Sequence, residues 1–196
     1  MSVFQDSPKM KVQAVFYAPV FTTEDPEKVR QAVSNIVNYG RPKSEEIRPD
    51  TVFDAISDAK QNEENSGEAD EMNVLINPFI SDATSRQNVK QIIAAEGDLT
   101  LLSGIHYMIR KEEIIDTAKS AFLGNMSEDG CETAVMLNKQ AAFMKHLSFP
   151  ADFEPLGSVR LEILTNTPED MLKLIDWLTP PTKDGLPLFE LKMSEL

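Results

Sequence analysis

The stretch that decides the fold is residues 11–37, KVQAVFYAPVFTTEDPEKVRQAVSNIV. Its first part, residues 11–20, is short, β-branched and aromatic, which is typical of a β-strand. One face of that strand carries Val12, Ala14, Phe16 and Ala18, and the other carries Val15 and Tyr17. Because both faces are apolar, we expect the strand to lie at the centre of a sheet.

A helix is predicted directly after this strand. Asp25 is a good N-cap, and Pro26 suits the first helical position, where its missing N–H is not needed. The apolar residues that follow at helical spacing are Val29, Ala32, Val33, Ile36 and Val37. Gly40 and Pro42 are expected to end the helix.

The same order of elements recurs near the C-terminal end of the sequence. In residues 159–163, apolar Val, Leu and Ile alternate with Arg160 and Glu162, as in a strand with one polar face. Residues 167–170, Thr-Pro-Glu-Asp, have the pattern of a capped, proline-led helix start, and Thr179 should end that helix. Strands and capped helices in this arrangement predict an α+β fold.

The residues between these two units are less uniform. Residues 99–126 have helical spacing, with a break expected near Arg110. Residues 133–137 and 141–149 are predicted to be two strands, with 138–140 between or within them. Residues 89–95 fit a strand or a helix equally well.

Residues 44–71 hold ten acidic residues against two basic ones and are predicted to be an acidic insertion, either a loop or a helix-bearing segment. Within it, residues 52–56 fit one helical turn, and residues 72–80 after it fit a strand. We therefore predict an N-terminal extension at 1–10 and a single α+β domain over 11–196.

Composition places the chain among globular proteins of a reducing compartment. It has 196 residues, 41% of them hydrophobic, and contains neither a membrane-length apolar run nor a signal-peptide pattern. Its one cysteine, Cys131, cannot form an internal disulfide, so we expect a cytoplasmic protein. A net charge of -13 argues against binding nucleic acid through overall charge, but residues 104–149 are nearly neutral, with five basic and six acidic groups.

Four segments carry a resemblance to a known family: residues 22–29 (TTEDPEKV), 114–119 (IIDTAK), 137–143 (LNKQAAF) and 175–180 (IDWLTP). Together they resemble an uncharacterised archaeal protein family of unknown function, similar in fold to the large-subunit ribosomal protein that binds five-S RNA. The resemblance covers about residues 10–42 and 98–187. It implies an antiparallel sheet backed by helices, and a link to RNA. It also implies a glycine where this chain has Met144-Lys145.

Eight residues are the candidates for contact with RNA. Asn138, Lys139 and Gln140 could touch phosphates or base edges, although such residues more often form a turn in which amide side chains bond the backbone. The basic candidates are Arg110, Lys111, Lys119, Lys139, Lys145 and Arg160. The alternative for this basic set is an ordinary solvated surface, since Glu112, Glu113 and Asp116 lie beside it.

No motif for catalysis or for a cofactor is present in the sequence. His106, His146 and Cys131 lack the close spacing of zinc ligands, and no glycine-rich phosphate loop follows a strand. As a general base, His146 would need an orienting carboxylate that the sequence does not reveal. Trp177, among apolar helical neighbours, is predicted to be a core residue.

These observations predict a non-catalytic protein without a cofactor. The first partner predicted is RNA or a ribonucleoprotein, bound through the sheet and the helix around residues 104–149. The alternative is a protein–protein or self-association module, such as a homodimer formed through the sheet, without nucleic acid. No membrane partner is expected.

Overall fold

A five-stranded antiparallel sheet organises the computed structural model, which describes residues 10–54, 89–150, 154 and 156–196, with backbone only at 53–54. Its strands are β1 (Val12–Phe21), β2 (Asp50–Asp54), β3 (Val89–Gly97), β4 (Glu132–Asn138) and β5 (Ser158–Thr165). They are ordered β2–β3–β1–β5–β4, and every neighbouring pair is antiparallel. The prediction of a central first strand is confirmed.

The helices supply the other layer of the fold. They are α1 (Pro26–Val37), α2 (Ser103–Lys111), α3 (Ile115–Gly124), α4 (Lys139–Phe143) and α5 (Pro168–Leu178). Side chains from all five pack with one face of β1 into a single apolar core. The prediction of an α+β fold with an antiparallel sheet backed by helices is confirmed.

Local chemistry explains where the two proline-led helices begin. The Asp25 side chain accepts a hydrogen bond from the N–H of Glu27 (3.0 Å), and the Thr167 hydroxyl accepts one from the N–H of Asp170 (3.1 Å). Each bond satisfies a helix N–H that has no partner within the helix. Both predicted helix starts are therefore confirmed.

Helices α1 and α2 approach each other very closely at Gly104. A Cβ atom at this position would overlap the backbone carbonyl oxygen of Ile36. Only glycine allows this approach, which brings the C-terminal end of α1 beside α2.

A second, smaller apolar cluster lies on the opposite face of the sheet. It consists of Tyr17, Val89, Ile92 and Ala94, with Val15 and Phe21 partly buried against them. The two apolar faces predicted for residues 11–20 are both used in this way.

The predicted strand at 141–149 is wrong, because this region opens with helix α4. The Asn138 side chain accepts from the N–H of Ala141 (2.7 Å) and starts that helix. At its end, the N–H groups of Lys145 and His146 donate to the carbonyls of Ala142 and Ala141. This pair of bonds is a Schellman motif, and Lys145 occupies its left-handed position with φ 62°.

Pairing between strands determines the secondary structure of the segments whose local patterns were ambiguous or misleading. Residues 50–54 are strand β2, with Thr51 opposite Ile93, so the helical turn predicted from residue 52 onward is wrong for the described residues. Residues 89–95 form a strand, one of the two alternatives. The break predicted near Arg110 is confirmed, since α2 ends at Lys111 and Glu113 has φ 55°.

Several predictions fall outside the described residues. They are the N-terminal extension, the acidic insertion beyond residue 54 and the strand at 72–80. After α5 comes a short hairpin, β6 (Thr182–Lys183) and β7 (Leu186–Pro187), followed by the C-terminal residues. Among the helices described, none combines the length and the apolar character needed to cross a membrane.

Candidate functional site

The cavity between the first turns of α1 and helix α4 is the candidate site, here named the α1–α4 cleft. Its volume is about 450 Å³. The lining residues are Thr23, Glu24, Asp25, Lys28, Val29, Ala32, Lys139, Gln140, Phe143, Met144 and Leu156. Asn35 fastens the two helices together, because its Nδ2 donates to the carbonyls of Ala142 (3.1 Å) and Phe143 (2.9 Å).

A buried ion pair lies within this lining. Lys139 is only 4% exposed, and its Nζ lies 3.0 and 3.2 Å from the two carboxylate oxygens of Glu24 and 2.6 Å from the carbonyl oxygen of Pro19. Glu24 also accepts from the N–H of Phe21 (3.0 Å). Burial lowers the pKa of Lys139, and the Glu24 carboxylate opposes that shift. The pair joins α4 to the turn between β1 and α1. The ammonium and the carboxylate neutralise each other.

The neighbours of Lys139 have different roles. Asn138 caps α4, and its Nδ2 donates to Glu154 Oε1 (2.8 Å), so its amide serves the local backbone and a neighbouring carboxylate. This is the behaviour expected of a turn residue. Gln140 is exposed beside the cleft.

Arg110 is held within the fold by all five of its N–H groups. Nη1 donates to the carbonyls of His106 (3.1 Å) and Leu178 (2.9 Å), and Nη2 donates to the carbonyl of Trp177 (3.1 Å). Nε and Nη2 also donate to the two carboxylate oxygens of Glu190, at 2.9 and 2.6 Å. Because a guanidinium has five donors, none is left over for another partner while these bonds persist.

Two more of the basic candidates form ion pairs in other parts of the fold. Lys119 on α3 binds Asp176 on α5, with 2.9 Å between Nζ and Oδ1. Arg160 lies on the sheet face opposite the main core, where its guanidinium is 2.7 Å from Glu162 Oε1. Burial raises the pKa of Tyr17 on that face, and the Glu162 carboxylate adds to the rise.

Lys111, whose Nζ is 3.3 Å from Glu112 Oε1, meets the backbone of Lys145 at the surface. Lys111 Nζ is 3.1 Å from the carbonyl oxygen of Lys145 and 5.2 Å from the centre of the Tyr39 ring. One helical turn before Lys111, Tyr107 is 56% exposed and packs against Gly40. We name Tyr39, Tyr107, Lys111 and Lys145 the Tyr107 corner.

The eight predicted residues therefore lie in several separate places. Residues 138–140 line or flank the α1–α4 cleft, and Lys111 and Lys145 form part of the Tyr107 corner. Arg110 lies against the end of α5, Lys119 lies between α3 and α5, and Arg160 is on the other face of the sheet. They do not form one continuous basic surface.

The two histidines and the cysteine are also apart. The His106 ring stacks on Trp177 with 4.5 Å between ring centres. Burial, with a smaller effect of Arg110, lowers its pKa to about 4. His146 Nδ1 lies 3.0 Å from Glu112 Oε1, which is the orienting carboxylate that the sequence did not reveal. Burial also raises the pKa of Cys131. Within the part of the chain that the structure describes, no group of three or more His, Cys, Asp or Glu could hold a metal ion.

Sequence reasoning missed three residues that define these sites. The local pattern around Glu24 indicates only a helix start, because its partner Lys139 is 115 positions away. The sequence does not indicate a role for Glu190 either, because its partner Arg110 is 80 positions away. Met144, 67% exposed beside the cleft, lies where the sequence predicts a strand and the structure has the end of α4.

The four segments that carry the family resemblance meet in two pairs. Segments 22–29 and 137–143 meet at the Glu24–Lys139 ion pair and line the α1–α4 cleft. Segments 114–119 and 175–180 meet at the Lys119–Asp176 ion pair. Positions far apart in the chain thus combine into two contacts that join helices.

In the described residues, the fold and the site define an α+β protein with a five-stranded antiparallel sheet, a layer of helices against it and a cleft lined by a buried ion pair. The chain belongs to the UPF0201 family of archaeal proteins. It is 34% identical over 178 residues to the UPF0201 protein of Methanosarcina acetivorans, covering 90% of each chain. It is 32% identical over 180 residues to that of Methanopyrus kandleri, again covering 90% of each.

The fold also agrees with a solved structure of the family. The crystal structure of the UPF0201 protein from Methanococcus jannaschii matches with a TM-score of 0.57 and 24% identity, over 90% of this chain and 99% of that one. At this identity the likeness shows the fold alone. No family model matches the sequence.

Proposed function

We propose that the protein is a non-catalytic association module whose partner is a second copy of the same chain, docked at the α1–α4 cleft. The observation that carries this proposal is the exposure of two large apolar side chains beside an apolar cavity. Met144 is 67% exposed and Phe143 is 40% exposed, and both line the cleft. Apolar side chains gathered beside an apolar cavity are typical of an interaction surface.

A second copy suits this surface because the surface is complementary to itself. In a two-fold dimer, a projection on one copy fills a hollow on the other, and the same contact is repeated by symmetry. Met144 is the projection and the space beside Val29 and Ala32 is the hollow, and the two are adjacent. A two-fold axis between them would bury both at once.

The charges of the cleft favour docking over chemistry. Glu24 and Lys139 bind each other, so neither is free to act as an acid, a base or a nucleophile without breaking a buried ion pair. Of the other nine lining residues, Thr23, Asp25, Lys28 and Gln140 are polar, and the remaining five form an apolar wall: Val29, Ala32, Phe143, Met144 and Leu156. Removing such an apolar wall from water lowers the free energy of the system and so favours association.

The test is the oligomeric state of the purified protein by sedimentation equilibrium. The wild-type chain should dimerise, and Met144→Asp should weaken the dimer by about 100-fold, because roughly 1.5 kcal/mol of apolar burial is lost on each copy. Leu172→Asp is the matched control, since Leu172 is 47% exposed on α5 and does not line the cleft. A wild-type monomer at every concentration, or equal effects of the two variants, would rule the proposal out.

RNA binding is the second candidate, and the Tyr107 corner favours it. An exposed Tyr107 ring beside Lys111 and Lys145 has the elements of a stacking platform for single-stranded RNA. The link to RNA implied by the family resemblance points the same way, and it rests on fold analogy alone.

A gel shift with short single-stranded RNA at two salt concentrations separates the candidates. RNA binding at the corner should weaken as salt rises and should fall roughly tenfold in Tyr107→Ala, since stacking contributes about 1–3 kcal/mol per base. Met144→Asp should leave it unchanged. A dimer that retains no RNA supports self-association, whereas a monomer with salt-sensitive, Tyr107-dependent binding supports RNA.

A further inference from the structure

The last nine residues, 188–196, lie across the helical layer as a strap. Leu191, Met193 and Leu196 are partly buried against the main core. Leu188 and Phe189 remain 62% and 48% exposed. The strap therefore uses only part of its apolar surface in the contacts that hold it.

Polar contacts fix the strap at three points, the first being the hydrogen bond that the N–H of Leu188 donates to the carbonyl of Pro181 (2.8 Å). Glu190 binds the Arg110 guanidinium through both carboxylate oxygens, at 2.9 and 2.6 Å. Lys173 Nζ donates to the backbone carbonyl of Glu195 (2.6 Å). The Glu190 side chain is 46% exposed, so water and salt reach this contact directly.

Arg110, which binds Glu190, is also held in position by parts of the fold other than the strap. Three other hydrogen bonds hold Arg110 to the carbonyls of His106, Trp177 and Leu178, which lie in α2 and at the end of α5. If Glu190 leaves, Arg110 stays in place and directs its two remaining donors at the same point. A guanidinium fixed in this way presents a preformed, two-pronged site for a carboxylate.

We propose that the strap is detachable, and that the Arg110 site can bind the strap of a second copy in place of its own. The second copy is the fitting occupant because Glu190 and Leu191 of any copy match the Arg110 site and the apolar surface beside it. Exchange of an identical element between two copies requires no new complementarity. This contact is separate from the α1–α4 cleft and does not depend on the proposed function.

Hydrogen exchange of the full-length protein tests the first half of the proposal. In Glu190→Gln, the N–H groups of residues 188–196 should exchange roughly five- to tenfold faster than in the wild type, while the rest of the chain is unchanged. Glu27→Gln removes the same charge at a surface ion pair with Arg30 and should leave the strap unaffected. Unchanged exchange in the strap, or an equal increase over the whole molecule, would overturn the proposal.

A labelled peptide of residues 187–196 tests the second half by fluorescence polarisation. It should bind full-length Glu190→Gln more tightly than the wild type, by the same five- to tenfold factor, because the internal strap competes less. A peptide carrying Gln at position 190 should bind more weakly, and Met144→Asp added to Glu190→Gln should change nothing. Failure of the peptide to saturate Glu190→Gln, or equal binding of the two peptides, would overturn exchange between copies.

Discussion

Two ion pairs join distant parts of this chain, and they differ in burial and in what surrounds them. The Glu24–Lys139 pair has side chains 9% and 5% exposed and has the Pro19 carbonyl as a third member. The Arg110–Glu190 pair has side chains 19% and 46% exposed. In the second pair the arginine keeps three other acceptors if its partner leaves, whereas in the first the lysine would keep only one. An ion pair thus fixes two elements together permanently where it is buried, and can be broken and re-formed where it is partly exposed.

The largest expected effect is on the buried pair. Glu24→Gln leaves the Lys139 ammonium without a counter-charge in the interior and should lower the free energy of unfolding by about 3–5 kcal/mol. Glu190→Gln should lower it by only about 1 kcal/mol, because that pair is partly exposed and Arg110 remains bonded. Urea unfolding measures both, with Glu27→Gln as the surface control. If Glu24→Gln and Glu190→Gln have equal effects, the contrast between the two regions is wrong.

The pH dependence of stability should separate the regions next. His106, beside Arg110, has a folded pKa of about 4, below its ordinary 6.5, because burial disfavours the charged ring. Between these two values the unfolded chain binds a proton that the folded chain does not. Stability should therefore fall as the pH is lowered from 6.5 towards 4, and His106 should contribute no slope above 6.5.

The contribution of His106 is measured as a difference between two proteins. His106→Phe retains a ring against Trp177 and should show a shallower loss of stability over that pH range, followed by urea unfolding with Trp177 fluorescence. Carboxylates common to both proteins cancel in the comparison. An identical slope in the two proteins would mean that His106 takes up its proton equally well when folded.

The smallest expected effect on stability is at the C-terminal ends of α2 and α4. Lys145 ends α4 and Glu113 ends α2, each at a positive φ that favours glycine. Lys145→Gly and Glu113→Gly should each stabilise the fold by about 1 kcal/mol, because the steric strain of a side chain in this conformation is removed. Thermal unfolding measures both. A loss of stability in Lys145→Gly alone would mean that its side chain makes a contact worth more than the strain.

What the sequence could predict follows from the range of the interactions involved. The starts of α1 and α5 were predictable because Asp25 and Thr167 act on N–H groups two or three residues away. The position expected to hold a glycine from the family resemblance proved to be the left-handed end of α4, where Lys145 stands. Here the family resemblance implied a special backbone geometry without revealing its kind.

The remaining features depend on contacts that no local pattern contains. Asn138 has the same appearance whether it caps a helix or lies in a turn between strands, so the sequence predicts a strand where α4 forms. Strand β2 exists because Thr51 pairs with Ile93 of β3, and its own sequence also suits a helix. The two ion pairs join residues 115 and 80 positions apart, so the lysines and arginines of the sequence could not be sorted into free and occupied ones.

Pro19 lies just beyond the point where the pairing of β1 with β5 ends. Strand β1 pairs with β5 only as far as Tyr17, so on that side Pro19 lies beyond the last paired residue of a central strand. Proline offers no N–H there, and its carbonyl oxygen is already occupied by the Lys139 ammonium. An incoming strand would find neither a donor nor a free acceptor at this residue. Lys139 therefore also occupies a backbone acceptor that edge-to-edge pairing, the route to aggregation, would need.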